Sequence, residues 1–179
     1  PDDERLPLSG VLSLAQMSDG RLFAGATEGL FAFDGHGGTV TFDRHAPDRA
    51  ESIGRGYVAA LLPWQRDTLW VGVGGGGQVE AFRHDPAATE SLSGDYVTTL
   101  APGPDGEIWV GTRSDGLNLC RVDPFSCRRI PGIDNAAPAD HHVTALRRGR
   151  EGELLVAYDG GGVRRISAVD GADASRTQR

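Results

Sequence analysis

The stretch DGEIWVGT, Asp105 to Thr112, decides how the chain is read, because the sequence writes it more than once. DTLWVGV at Asp67 to Val73 is a second version, DGRLFAGAT at Asp19 to Thr27 a third and EGELLVAY at Glu151 to Tyr158 a fourth. A motif used once can be a site, whereas one that recurs through a whole chain is architecture. Upstream of each copy lies a small apolar segment: VLSL at Val11, VAAL at Val58, VTTL at Val97 and VTAL at Val143. In every copy a large apolar residue falls twelve positions after that Val: Phe23, Trp70, Trp109 and Leu155. A small residue follows at fourteen, Gly25, Gly72, Gly111 and Ala157, and a further Gly at eighteen or nineteen.

The copies start 47, 39 and 46 residues apart, the period of a four-stranded propeller blade of roughly 40–50 residues. VTTL is then the first strand, and PDG the hairpin turn, with Gly106 supplying a positive φ. EIWVGT is the second strand. Its Ile108, Trp109 and Val110 are apolar in succession instead of alternating, which fits a strand buried on both faces between neighbouring blades. Gly111 lets the next blade approach the backbone closely. SDG turns the chain into LNLCRVD, the third strand, and CRRIPG from Cys127 makes an outer, more polar fourth. The expected fold is all-β: a propeller of about four antiparallel four-stranded blades, an arc of a larger ring. Residues 1–10 are the tail of a preceding connector, 11–167 the blades, and 168–179 a tail or linker.

The connectors repeat too. RHAPDRAESIGRGYV leads into the second copy and RHDPAATESLSGDYV into the third, each with Arg-His, a Pro, Glu-Ser, a Gly and Tyr-Val. The combination SLSGDYVTTLAPGPDGEIWVGTRSDGLNLCRVD, residues 91–123, resembles the two-component regulator propeller repeat, written around V-x-x-L…D-G-x-x-W-V-G-T…G-L with an S-L-S lead-in. The second copy matches most elements. The first and last depart from the pattern, since Phe23 and Leu155 replace Trp, and Ala157 replaces the strand Gly. The resemblance covers about 155 residues. It implies a sensor region of a bacterial signalling receptor, commonly a ring of about seven blades. Such regions lie outside the cytoplasmic membrane, ahead of a membrane helix and a kinase, regulator or cyclase.

Composition supports many short strands: Gly is heavy at 26 residues, but its glycines sit at fixed offsets among apolar residues, unlike low-complexity disorder. A net charge of −7 argues against nucleic acid, which selects a concentrated basic surface. All 18 basic residues are Arg, a bias assigned to the coding genome, and the one dense run, RRGR at Arg147 to Arg150, is expected in a solvated loop. No apolar run approaches the ~20 residues that cross a bilayer. No secretory leader stands at Pro1, and the chain is expected to be a processed or excised piece.

Several constellations invite chemistry and are outweighed. GVGGGGQ at Gly72 to Gln78 lacks the Lys and Ser/Thr that complete a phosphate loop, and it stands in a strand context. His141 and His142 beside Asp140 could suggest a metal, but neighbours in a strand point to opposite faces. His45 and His84 recur in equivalent connectors, as polar structural contacts do. Cys120 and Cys127 flank a turn at Asp123-Pro124, so a hairpin could place them opposite each other at ~4.5 Å between Cα atoms, close enough for a disulfide. Two buried thiols are the alternative. No cofactor or metal is expected, no nucleophile–base pair stands out, and no catalytic residue is named.

The expectation for function is a non-catalytic ligand- or partner-sensing module on the periplasmic or extracellular side of a membrane-anchored receptor. Its candidate ligand residues are on the turns after each second strand: Thr27-Glu28, Gly74-Gly75, Arg113-Ser114 and Tyr158-Asp159. A small molecule such as a carbohydrate, or a protein, would be the ligand. Self-association through exposed end blades is expected, with neither nucleic acid nor direct membrane contact. The alternatives are an extracellular propeller enzyme of lyase or lactonase type and a passive interaction scaffold.

Overall fold

The computed structural model describes residues 10–33, 40–43, 56–64, 68–74, 85–130, 142–150 and 152–167. They form antiparallel sheets with a single 3-10 turn at Pro104–Gly106 as the sole helical element among them. By contacts the chain falls into two compact units, Pro1–Ala81 and Phe82–Arg179. The connector histidines His45 and His84, the neighbouring His141, Gly75 and both termini lie outside the described residues.

The first unit holds two sheets. Strands β1 (Val11–Gln16), β2 (Leu22–Ala26), β3 (Leu30–Phe33) and β4 (Val40–Asp43) pair in order, each with the next. The second sheet pairs β5 (Tyr57–Trp64) with β6 (Thr68–Gly74). The second unit repeats the plan. β7 (Val97–Pro102), β8 (Ile108–Thr112), β9 (Leu117–Val122) and β10 (Phe125–Ile130) form one four-stranded meander. β11 (Val143–Arg148), β12 (Leu154–Tyr158) and β13 (Gly162–Ile166) form the next sheet. This is the propeller type of fold that the repeat predicts. RRGR differs from expectation: Arg147 and Arg148 end β11, and only Gly149-Arg150 belong to the turn. The outer strand also starts two residues before Cys127, at Phe125.

In three of the sheets the first turn follows from Gly. Asp105 and Gly106 have φ of 46° and 80°, and Glu107 N–H donates to Pro104 C=O at 2.7 Å. Positive φ at both central residues is the two-residue turn whose twist matches that of its strands. Gly20 and Gly152, nine positions after their own Val as Gly106 is, are at φ 91° and 83°.

One irregularity recurs in all four sheets. Val11 pairs with Ala26 and Ser13 with Gly25, leaving Leu12 as an extra residue. The same register shift follows Val58, Val97 and Val143. A bulge at this point bends the first strand and raises its twist. In two sheets the extra residue is Thr, and its hydroxyl bonds the partner strand: Thr98 to Gly111 C=O at 3.1 Å and Thr144 to Ala157 C=O at 3.2 Å.

Within each unit one sheet packs on the next through the same residues. In the second unit the face of β8 and β9 carrying Trp109, Leu117 and Leu119 covers Val143, Leu154 and Val156. All of β8 is buried, as its unbroken apolar run predicts. Burying each of these large side chains contributes about 1.5–3 kcal/mol. Contact this close depends on Gly111, where a Cβ would stand 2.6 Å from Val143 Cγ1. Thr98 adds a hydrogen bond from its hydroxyl to Val143 C=O. In the first unit a Cβ on Gly25 would stand 2.5 Å from Val58 Cγ1, and Ser13 Oγ donates to Val58 C=O at 3.4 Å.

The S-L-S lead-in is fastened to its own sheet. Asn118 of β9, fully buried, accepts from Ser93 N–H at 3.0 Å on Oδ1 and donates from Nδ2 to Ser93 Oγ at 2.8 Å. Cys127 N–H of β10 donates to Glu90 C=O at 2.7 Å. Gly94 abuts the Asp115 side chain, with room for no Cβ. Cys120 and Cys127 are directly opposed across β9 and β10, with Cα atoms 4.0 Å apart and their sulfurs bonded.

Candidate functional site

The turns after each second strand gather at one end of their sheets, and the backbone holds them in a constant way. The residue sixteen positions after the repeat Val donates its N–H to the carbonyl of the residue just before that Val. Thr27 bonds Gly10 at 3.2 Å, Arg113 bonds Tyr96 at 2.9 Å and Asp159 bonds His142 at 3.0 Å. In the remaining sheet the equivalent residues Gly74 and Tyr57 are a register pair. Each turn therefore has a partner that the repeat pattern hides, the residue just before the repeat Val: Gly10, Tyr57, Tyr96 and His142. The recurring Tyr-Val dipeptide was the available signal.

Side chains differ where the backbone does not. Thr27, Glu28, Arg113, Ser114 and Asp159 are exposed, and Tyr158 is half-buried. In the turn of Arg113-Ser114 the hydroxyl of buried Thr112 donates to Gly116 C=O at 2.9 Å and accepts from Asp115 N–H at 3.1 Å. That closure leaves Arg113 and Ser114 directed outward. Tyr96, 47% exposed, stands beside them on the neighbouring strand end. In the next sheet His142 Nδ1 lies 3.3 Å from Asp159 Oδ2, and the Arg164 guanidinium lies 5.6 Å from the centre of the Tyr158 ring. Tyr57 packs across Gly74, where an added Cβ would meet its ring at 2.3 Å.

Within the second unit these positions share an edge. The Thr98–Val143 hydrogen bond joins the starts of β7 and β11, so Tyr96 and His142 open at the same end of adjacent sheets. The structure thus brings Tyr96, Arg113, Ser114, His142 and Asp159 to one rim, while Thr27 and Glu28 belong to the first unit. Phe23, Trp70 and Leu155 are half-buried where Trp109 is buried, and Gly25, Gly72 and Gly111 are buried. The disulfide joins outer strands and is buried, with Cys120 1% and Cys127 3% exposed. Among the described residues no three His, Cys, Asp or Glu side chains converge as a metal set, and no helix is long and apolar enough to cross a membrane.

Chemically the rim offers an aromatic ring, a guanidinium, a hydroxyl and a carboxylate–imidazole pair. Such groups recognise hydroxyls and anions by hydrogen bonds while the ring covers an apolar face.

Comparison with known proteins agrees with this plan. No curated protein matches the chain. Among solved structures, the extracellular domain of the hybrid two component system BT3049 from B. thetaiotaomicron superposes with a TM-score of 0.72 at 18% identity, over 92% of this chain and 24% of that one. The extracellular domain of the one component system BT4673 from B. thetaiotaomicron gives 0.66 at 19% identity, over 93% of this chain and 23% of that one. The chain therefore spans about a quarter of the length of the structures it matches. Residues 91–114 match the two component regulator propeller family, so the segment whose lead-in, bulge and Trp strand were described above is a repeat of that family within a chain of propeller fold.

Proposed function

We propose that the chain is part of the extracytoplasmic input region of a bacterial signalling receptor of two component type, that it acts without catalysis, and that it takes its ligand on the rim. The observation carrying this reading is the repeated backbone tie at that rim. The same N–H to carbonyl bond presents Arg113 and Asp159 on the rim of the second unit, and it holds Thr27 at the equivalent turn of the first. A fixed frame with exchangeable outward side chains is how rigid folds present binding residues. The family match and the fold of the two extracellular domains support the receptor setting.

Tyr96, Arg113 and the His142–Asp159 pair suit a polar, hydroxyl-rich small molecule, and a carbohydrate is the class that uses all three. Calorimetric titration with a panel of neutral and acidic oligosaccharides tests this. Saturable binding to a member of the panel is expected, weakened on the order of tenfold by Arg113→Ala, equivalent to about 1.4 kcal/mol. The unfolding midpoint should stay unchanged, because Arg113 is exposed. Binding that is absent, or indifferent to Arg113→Ala and Asp159→Asn, would remove the rim as the site. Turnover of a bound saccharide would move the chain to the enzyme class.

A further inference from the structure

The disulfide and the lead-in meet on one ladder. Asn118 and Arg129 are register partners across β9 and β10, and Cys120 and Cys127 are the partners two residues further along each strand. Residues two apart on a strand point to the same side, so both pairs share one face of the hairpin. The lead-in is held from this ladder at four successive residues. Cys127 N–H donates to Glu90 C=O at 2.7 Å. Arg129 Nη2 donates to Ser91 Oγ and to Leu92 C=O, each at 3.4 Å. Asn118 takes both the N–H and the hydroxyl of Ser93. Three residues on, the chain reaches the rim at Tyr96, whose C=O accepts the Arg113 N–H.

Two thiols need more room than one bond. Unbonded sulfurs stay at van der Waals contact, well outside the ~2.05 Å of a disulfide, and each gains a hydrogen. Both cysteines are enclosed, and a close-packed interior has no slack for that added volume. Breaking the bond therefore displaces a neighbour. β9 and β10 are zipped by six register pairs, whereas residues 85–95 belong to no strand and lie on the hairpin through the bonds just named. The lead-in yields first. We infer that Cys120–Cys127 is a redox latch on the lead-in, closed as the disulfide and released by a dithiol, and that the release reaches Tyr96 on the rim.

The chemistry is thiol–disulfide exchange. A thiolate of the dithiol attacks one sulfur, the Cys120–Cys127 bond breaks and a mixed disulfide forms, which the second thiol of the reagent resolves. Two electrons pass from the dithiol, which becomes a disulfide, to the cysteines, and two protons end on the two cysteine sulfurs. Because the sulfurs are enclosed, the attacking thiolate reaches them only when their cover opens. Linkage then works in both directions: a state that lifts the lead-in favours reduction as much as reduction favours lifting. Control of the rim by this latch rests on the ligand reading given above, whereas the latch itself is read without any ligand.

Hydrogen exchange of the whole chain, oxidised and after reduction with dithiothreitol, tests the latch. The amides of residues 90–96 and the Arg113 amide are expected to exchange on the order of tenfold faster in the reduced protein, and to slow again on reoxidation. Val156→Ala weakens the neighbouring sheet and leaves the hairpin intact, so in that oxidised variant the same amides should keep their original rates. Equal rates in both redox states would overturn the inference. So would the same acceleration in Val156→Ala, because the effect would then be a general loss of stability. A reciprocal measurement uses the oxidised protein and follows thiol release. Arg129→Ala removes the bonds to Ser91 and Leu92 from an exposed side chain, and reduction by dithiothreitol should accelerate on the order of threefold or more. An unchanged rate would detach the disulfide from the lead-in. Neither measurement uses a saccharide, so failure of the ligand reading would leave both results standing.

Discussion

At the scale of the residue, the glycine fourteen positions after each Val carries the most information. Gly111 is needed for closeness, not for conformation. Its position does not require a positive φ, but a Cβ there would meet Val143 and Thr99 at 2.6 Å and 2.7 Å. Gly111→Ala is therefore expected to destabilise the protein by about 1–3 kcal/mol through overpacking. Val143→Ala should recover part of that loss, and urea unfolding of the double-mutant cycle measures the coupling. Independent costs that simply add would show that the glycine does not serve the contact with Val143. The sequence displayed this glycine by its spacing, yet its partner was illegible, because Val143 lies a whole repeat away. Asn118 was less visible still. Inside LNLCRVD it looks like an ordinary polar residue of a strand, and only the fold brings Ser93 against it. Asn118→Leu would leave the N–H and hydroxyl of Ser93 buried without that partner, at a cost of about 1–3 kcal/mol. Hydrogen exchange at the Ser93 amide should accelerate, and an unchanged rate would mean that the lead-in is held by other contacts.

The elements were legible to different degrees, for reasons of period. Ile108, Trp109 and Val110 in succession announced a strand with no solvent face, and β8 is buried throughout. PDG announced its turn through the residues it must contain. The bulge after each Val was not legible, because V-x-x-L fits a regular strand and a bulged one equally. Pairing of β9 with β10 was open for the same reason, since a shift by one residue would have sent Cys120 and Cys127 to opposite faces. In the structure they are register partners and bonded. Their separation of 7 residues closes a short loop, so removing the bond is expected to cost about 2–3 kcal/mol in chain entropy. Thermal unfolding with and without reductant measures it. Thiol titration of the denatured, unreduced protein should find no free cysteine; two free thiols would refute the bond.

At the scale of the molecule, each unit is a pair of sheets in which one lends its Gly-bearing strand to the next. Stability in such an array is a sum of small sheets and the seams between them. In the second unit the seam rests on Trp109, so Trp109→Ala should cost about 3–5 kcal/mol. Exchange measurements should show the loss in β11–β13 as well as in β7–β10, because Val143, Leu154 and Val156 lose their cover. Loss confined to the sheet that contains Trp109 would mean that β11–β13 stands without its neighbour. Repeat counting anticipated the antiparallel sheets and the Gly-bearing second strand of three of them. The rim was legible only as turn positions, Arg113 and Asp159 among them; that Tyr96 and His142 stand beside them follows from the backbone bonds that tie each turn to the residue before the repeat Val.

The fastening of the lead-in has a consequence for how such chains can change over generations. Ser93 and Asn118, like Glu90 and Cys127, are joined within one stretch running from Asp85 to Ile130. A gene duplication or deletion whose breakpoints fall outside that stretch transfers both halves of each bond together, and the daughter segment arrives complete. A breakpoint between Ser93 and Asn118 separates a buried amide from the partner that satisfies it in the ancestral strand. Recombination should therefore tolerate copies cut before the S-L-S and be purged of those cut after it, so that lineages lengthen or shorten by whole cassettes counted from the lead-in, not from the tryptophan that makes the repeat conspicuous.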